Sequence, residues 1–267
     1  MTDRITCSFI FKNGKRCNNK AIFTYNGIST CHIKSHCCNS SKFEEYTNRL
    51  YQEFKDSTLS IDTEQIINNK KDGACFYRAI SKYMYNNFDK FNIDVDEYDE
   101  DINAYNIQKD LNNFILENRN MLIRQCSQTL EDIVLSTHCD NISTLEEYYE
   151  LYNIFAGDND YVFKEVKSKT GRIKKVKESI PDRWGSTAEQ IAFSMKYGIK
   201  VNVYLLQKFD NRTLKVKEVT KRSKGDIRIR LYQSIDPSLE DIDTNGDELN
   251  IILEKQSSMP HYLYILS

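Results

Sequence analysis

Five of the eight cysteines crowd into the first 38 positions as Cys7, Cys17, Cys31, Cys37 and Cys38, and only Cys75, Cys126 and Cys139 lie beyond them. So short a segment, with so few large apolar side chains, cannot bury a self-sufficient core. The sequence shows no signal peptide at its start and no run of about 18 apolar residues, so the expected compartment is the cytosol or nucleus and a membrane partner is not expected. Thiols stay reduced there, which disfavours a disulfide framework and makes a bound metal ion the leading explanation. The best ligand set is Cys7, Cys17, Cys31 and His36 around a structural zinc ion. Gly14 permits the turn that returns Cys17 toward Cys7, and the spacing of Cys31 and His36 suits one helical turn presenting two donors. The fourth position stays open, with His32, Cys37 and Cys38 as rivals of His36. This order of Cys, Gly-x-x-Cys, Cys and His resembles small zinc-binding modules attached to larger enzymes and interaction proteins.

The 267 residues predict one or two domains. Hydrophobic residues at 40% and aromatics at 12% exclude a disordered chain, and a net charge of -2 excludes a global basic field for nucleic acid. Binding of that kind has to be local. Phe43, Tyr46, Leu50 and Phe54 fall at helical spacing, and Phe76, Ala79, Ile80, Tyr83 and Met84 mark a second, buried helix starting near Cys75. Six acids in residues 94–101 predict a solvated loop. Residues 105–123 and 144–155 read as helices, and the basic residues 164–178 as an exposed loop or β-hairpin. Ser186 and Glu189 have capping-box spacing for a helix that Gly198 ends. Strands are expected at 199–206, 213–219, 227–232, 248–253 and 261–266. Helices first and strands later define an α+β chain with a mainly antiparallel sheet flanked by helices. The expected divisions are a zinc module at 1–40, a helix and linker at 41–58, and a catalytic domain at 59–267.

Cys75 at the first turn of a helix sits at the positive end of the helix dipole, which lowers a thiol pKa and makes a candidate nucleophile. A small buried hydrophobe is the competing reading. Gly73 can turn the preceding amides toward the sulfur, where they would stabilise an oxyanion. Of the four histidines, His32 and His36 belong to the cysteine cluster. His261 begins a strand after Pro260 and is the candidate base, whereas His138, beside Cys139 in a polar stretch, reads as a surface residue.

Three blocks, KDGACFYRAIS at 71–81, WGSTAEQIAFSMKYGIKVNVY at 184–204 and PHYLYIL at 260–266, resemble the signatures of the ovarian-tumour (OTU) cysteine proteases, in the family's order. The resemblance implies a papain-like OTU fold and a deubiquitinase hydrolysing isopeptide bonds at the C-terminus of ubiquitin, with ubiquitin or its chains as partner. It makes Cys75 the nucleophile, His261 the base, Asp72 the motif's acid, Gly73 and Ala74 the oxyanion loop, and Trp184 a structural marker beside the cleft. No cofactor enters that chemistry. One departure stands out: many members carry Asp or Asn two residues after the histidine, and Leu263 is there. Asn68 and Asp62 are weaker candidates for the orienting acid. The departure keeps alternatives open, namely a silent OTU-like binding protein whose zinc module recruits a protein or nucleic acid, or a protease of another ubiquitin-like modifier.

Overall fold

The computed structural model describes residues 6–31, 33–37, 39–139, 142–153, 161–167, 173–179, 185–244, 246–255 and 260–266, with the backbone course alone for 161–167 and 173–179. The first elements are strands β1 (Phe23–Tyr25) and β2 (Ile28–Thr30), helix α1 (Ser40–Asp56), and strands β3 (Leu59–Ser60) and β4 (Ile66–Ile67). Helices α2 (Cys75–Asn86), α3 (Phe88–Phe91) and α4 (Glu100–Glu117) follow, then β5 (Leu122–Ile123), β6 (Gln128–Thr129), α5 (Leu130–Thr137) and α6 (Leu145–Tyr152). The rest comprises β7 (Tyr161–Lys167), β8 (Ile173–Ser179), α7 (Thr187–Tyr197), β9 (Lys200–Asp210), β10 (Lys215–Glu218), β11 (Arg228–Ile235), β12 (Glu248–Lys255) and β13 (Pro260–Ile265).

The contacts divide the chain into two units, residues 1–61 with 205–230 and residues 62–204 with 231–267. In the first unit β1 and β2 form an antiparallel hairpin, β3 pairs with the start of β11, and β10 pairs with the end of β9, all antiparallel. Asn39 caps α1 by accepting from the Lys42 amide. Arg228 reaches back to the end of that helix, donating to Thr58 Oγ1 at 2.8 Å and to the Lys55 and Thr58 carbonyls.

In the second unit β13 lies antiparallel between β12 and β4, while β12 runs parallel to β9. The expected antiparallel sheet therefore contains one parallel pair. Helix α2 packs on β13 and on α4, and α4 packs on α7. The apolar positions expected on α2 are buried, and so are Tyr77, Arg78 and Ser81. A helix buried nearly all round is a central one rather than an amphipathic cover.

Several boundaries depart from the sequence reading for local reasons. Helix α4 stops at Glu117, where the Asn118 side chain bonds back to the Phe114 carbonyl and a turn leads into β5. The acidic stretch is not all loop, because Asp99 caps α4 through the Asp101 and Ile102 amides. Helix α5 was not expected; its start carries a Thr129–Asp132 capping box. In the basic segment β7 and β8 pair antiparallel, with Lys167 opposite Ile173, and residues 168–172 lie outside the described residues. No helix among the described residues is long and apolar enough to cross a membrane.

His138 is a correction, since it is buried and not a surface residue. Its Nε2 lies 3.1 Å from Glu189 Oε1 and 3.1 Å from Ser186 Oγ, and Tyr152 Oη lies 2.9 Å from Nδ1. Tyr148 donates to the same Glu189 oxygen at 2.7 Å, and the Ser186 amide donates to Oε2 at 2.6 Å. Burial alone would raise the Glu189 carboxyl, but the charge of His138 and the donated hydrogen bonds outweigh it and hold it at about 2. A depressed carboxyl stabilises the fold above its unfolded value near 4.5, and that contribution is lost as pH falls toward 2. Thermal unfolding across this window should show the wild type losing stability that Glu189→Gln does not lose. Equal acid sensitivity in the two proteins would remove the carboxylate from this role.

Candidate active site and metal-binding cluster

Residues 68–75 enter α2 through a turn in which the Cys75 amide donates to the Asp72 carbonyl at 3.3 Å. The Asp72 carboxylate accepts from the Ala74 amide at 3.0 Å. It also holds Arg78, with Nη2 at 2.8 Å from Oδ2 and Nε at 3.3 Å from Oδ1. Arg78 is 2% exposed and pairs further with Asp101 and with Glu100, the latter at 3.7 Å. These acids compensate a guanidinium that burial would otherwise penalise heavily. Asp72 therefore braces the turn, and its carboxylate makes no hydrogen bond to His261 among the described residues. Of the weaker candidates, Asp62 caps a 3-10 turn through the Glu64 amide, while among the described residues Asn68 accepts from Lys82 through its backbone carbonyl only. The Ala74 and Cys75 amides are engaged by Asp72, whereas the Gly73 amide makes no hydrogen bond among the described residues.

The strand bearing His261 lies against the thiol. The amide of Tyr262, the next residue, donates to Cys75 Sγ at 3.3 Å. Asn69, which the sequence reading passed over, ties the two elements together, its Nδ2 donating to the Cys75 carbonyl at 3.0 Å and to the Tyr262 carbonyl at 2.9 Å. Lys82 fixes the Asn69 amide by donating to Oδ1 at 2.8 Å. On the other side of β13, Gln190 Nε2 donates to Tyr262 Oη at 2.9 Å, and Phe76 meets the Tyr262 ring edge-on.

The thiol does not have the lowered pKa expected from the helix dipole. Cys75 is 2% exposed, and burial pushes it up to about 11, with the Asp72 charge adding to the rise and the Tyr262 amide opposing it. Burial also lowers His261 below 6.5; Lys71 lowers it further, while Glu254 and Asp72 pull it back up. The resting pair is thus neutral thiol and neutral imidazole, and the His261 ring makes no hydrogen bond among the described residues.

The position two residues after His261 is a core position, with Leu263 only 1% exposed opposite Ile252. The acid that shares a face with His261 is Glu254, directly opposite it on β12 and also buried. Directly opposed residues carry their Cβ atoms about 5 Å apart. The signal for Glu254 was absent from the sequence, because it depends on the β12–β13 register.

Trp184 lies outside the described residues, but its neighbour Gly185 explains part of that block. A Cβ at Gly185 would overlap the Phe76 side chain at Cδ1, next to the candidate nucleophile. Phe76 is fully buried and cannot swing away. Gly185→Ala is expected to lose roughly 1–3 kcal/mol of stability by overpacking. An unchanged melting temperature would mean that Phe76 has room to yield.

The N-terminal cysteines converge. The donor atoms of Cys7, Cys17, Cys31 and His36 all lie within 4.8 Å of one another, and all four residues are buried. Cys17 Sγ to Cys31 Sγ is 3.9 Å, Cys31 Sγ to His36 Nδ1 is 3.3 Å, and Cys7 Sγ to His36 Nδ1 is 3.9 Å. A tetrahedron with Zn–S of about 2.3 Å and Zn–N of about 2.0 Å has edges of roughly 3.5–3.8 Å, so this cluster could hold a metal ion of that size. Cys37 turns away and donates its thiol to the Asn39 carbonyl, whereas His32 and Cys38 lie outside the described residues. Surrounding groups support the donors: Phe9 stacks on the His36 ring at 3.8 Å, Asn19 Nδ2 donates to Cys31 Sγ, and Arg16 Nε donates to the Cys7 carbonyl. Gly14 sits in the expected turn with φ of 78°.

No family model matches the sequence, and no curated protein matches it. Among solved structures the chain is similar to the OTU domain of OTUD1, at 12% identity and a TM-score of 0.36, over 84% of this chain and 94% of that one.

Proposed function

We propose that this chain is a cysteine hydrolase of the OTU type that cleaves isopeptide bonds at the C-terminus of ubiquitin. The observation that carries the reading is the seating of the His261 strand against Cys75, through the Tyr262 amide on Sγ and the Asn69 clamp. The three sequence blocks supply the substrate class. In this reading His261 takes the thiol proton, the thiolate attacks the glycyl carbonyl, and the imidazolium returns its proton to the leaving lysine amine. Water, deprotonated by His261, then releases the acyl-enzyme. The Gly73 amide, which makes no hydrogen bond among the described residues, is the proposed donor to the oxyanion. Glu254, with Asp72 behind it, favours the imidazolium that forms. Zinc in the Cys7, Cys17, Cys31 and His36 set serves structure and takes no part in the chemistry.

A second reading, a silent OTU-like binding protein, draws support from the buried thiol and the unbonded imidazole. Incubation with a panel of ubiquitin chains and with electrophilic probes of ubiquitin and ubiquitin-like modifiers separates the two. Cleavage together with a covalent adduct on Cys75 supports the protease, and the probe that reacts names the modifier. Binding without turnover or adduct supports the silent protein.

A further inference from the structure

We propose that the loop of residues 10–16 in the cysteine and histidine module is a docking surface for single-stranded nucleic acid. The chain's near-neutral charge hides a strong local bias. From Arg4 to Phe43 the sequence holds Arg4, Lys12, Lys15, Arg16, Lys20, Lys34 and Lys42 and no acidic residue. Lys42 is neutralised by Glu45 at 2.7 Å, but Lys12, Lys15, Arg16 and Lys20 are exposed and form no ion pair among the described residues. A tight fold gathers three of them. Ile10 and Arg16 bridge antiparallel, the Phe11 amide donates to the Lys15 carbonyl at 2.8 Å, and the Gly14 amide donates to the Phe11 carbonyl at 2.9 Å. Lys12, Lys15 and Arg16 therefore ring one short turn.

The same turn carries an aromatic ring out of the core. Phe11 is 44% exposed and Ile10 62%, although apolar side chains are scarce in this segment. The Phe11 ring is not loose, because it makes perpendicular contacts at 5.4 Å with both Phe9 and His36. A fixed, accessible ring among uncompensated cations matches what a single strand offers, namely bases to stack and phosphates to neutralise. An acidic protein surface would satisfy the cations and leave the ring without a counterpart. Duplex DNA offers phosphates but keeps its base faces stacked inside.

The test is fluorescence anisotropy of the full-length, zinc-loaded chain with a labelled 12-nucleotide oligo(dT) or oligo(U), titrated at several salt concentrations. Each phosphate contact on a single strand contributes roughly 0.7 to the slope of log affinity against log salt. Replacing Lys12 and Lys15 together by Ala, which leaves the Arg16 bond to the Cys7 carbonyl in place, should reduce that slope by about 1.4, with weaker binding. Phe11→Ala should weaken binding roughly 10- to 100-fold at unchanged slope. Metal content and cleavage of a minimal ubiquitin substrate should be unchanged in both variants, which separates this surface from the active site and from misfolding. Absence of binding overturns the proposal, as does a Phe11→Ala variant that binds like wild type. So does equal affinity for a polyglutamate peptide, which would assign the surface to an acidic protein.

Discussion

Cys75→Ala is expected to abolish cleavage of ubiquitin chains, a loss of about 10⁴-fold or more, and to remove the adduct with a ubiquitin electrophile. His261→Gln should approach the same loss, because a thiol pushed up to about 11 is almost entirely protonated near neutrality and has no other base at hand. The pH profile follows from the same two groups. The imidazole must be neutral to accept the proton, and burial holds it below 6.5. Activity should therefore be lost only at acid pH below the ordinary imidazole range. It should stay level above that, with no fall through the neutral range. Glu254→Gln removes a charge that raises the imidazole, so its acid limb should move to lower pH while the protein stays folded. A purely structural Glu254 would leave the limb where it was. Resting reactivity gives a further readout. Cys126 and Cys139 are exposed and should alkylate first, with Cys75 slow until substrate opens the site. Chain cleavage by the Cys75→Ala protein would end the assignment of nucleophile.

Helix α2 was legible because its apolar residues recur at one face and a turn signal precedes it, and the structure starts it at Cys75 as expected. The start of α7 was legible for a local reason too, since a capping box joins residues three apart. What the sequence did not show depended on long-range pairing. His138 looked like a surface residue because its sequence neighbours are polar, yet its partners Glu189 and Ser186 lie about 50 positions away. The acid facing His261 is set by strand register, and the occupancy of Asp72 by Arg78 requires α2 to be folded. The thiol pKa was misjudged in sign because dipole placement can be read from sequence whereas depth of burial cannot. His36 gained its place over Cys37 only from side-chain direction, with Nδ1 facing Cys31 Sγ and the Cys37 thiol on the Asn39 carbonyl.

Purified full-length protein is expected to contain one zinc ion per chain, and Cys17→Ser or Cys31→Ser should lose it and unfold residues 6–37. The large effect follows from how little else is there. The buried cluster of the module consists of Cys7, Cys17 and Cys31, and the partly buried hydrophobics packed against it among the described residues are Phe9 and Ile33. Two part-buried apolar side chains contribute a few kcal/mol at most, whereas structural zinc supplies apparent folding free energies of about 10–16 kcal/mol. Without metal, three buried thiols and an imidazole would face one another with no attraction of comparable size. Hydrogen exchange should show the amides that close the module, Cys7 to the Asn19 carbonyl and Cys17 to the Phe9 carbonyl, protected in wild type and exchanging freely in either variant. Cys37→Ser should keep both metal and protection. Acidification should release the ion, because its ligands must be deprotonated to bind. Protein purified without stoichiometric zinc, or a Cys17→Ser variant whose amides stay protected, would show that the module is held by something other than metal.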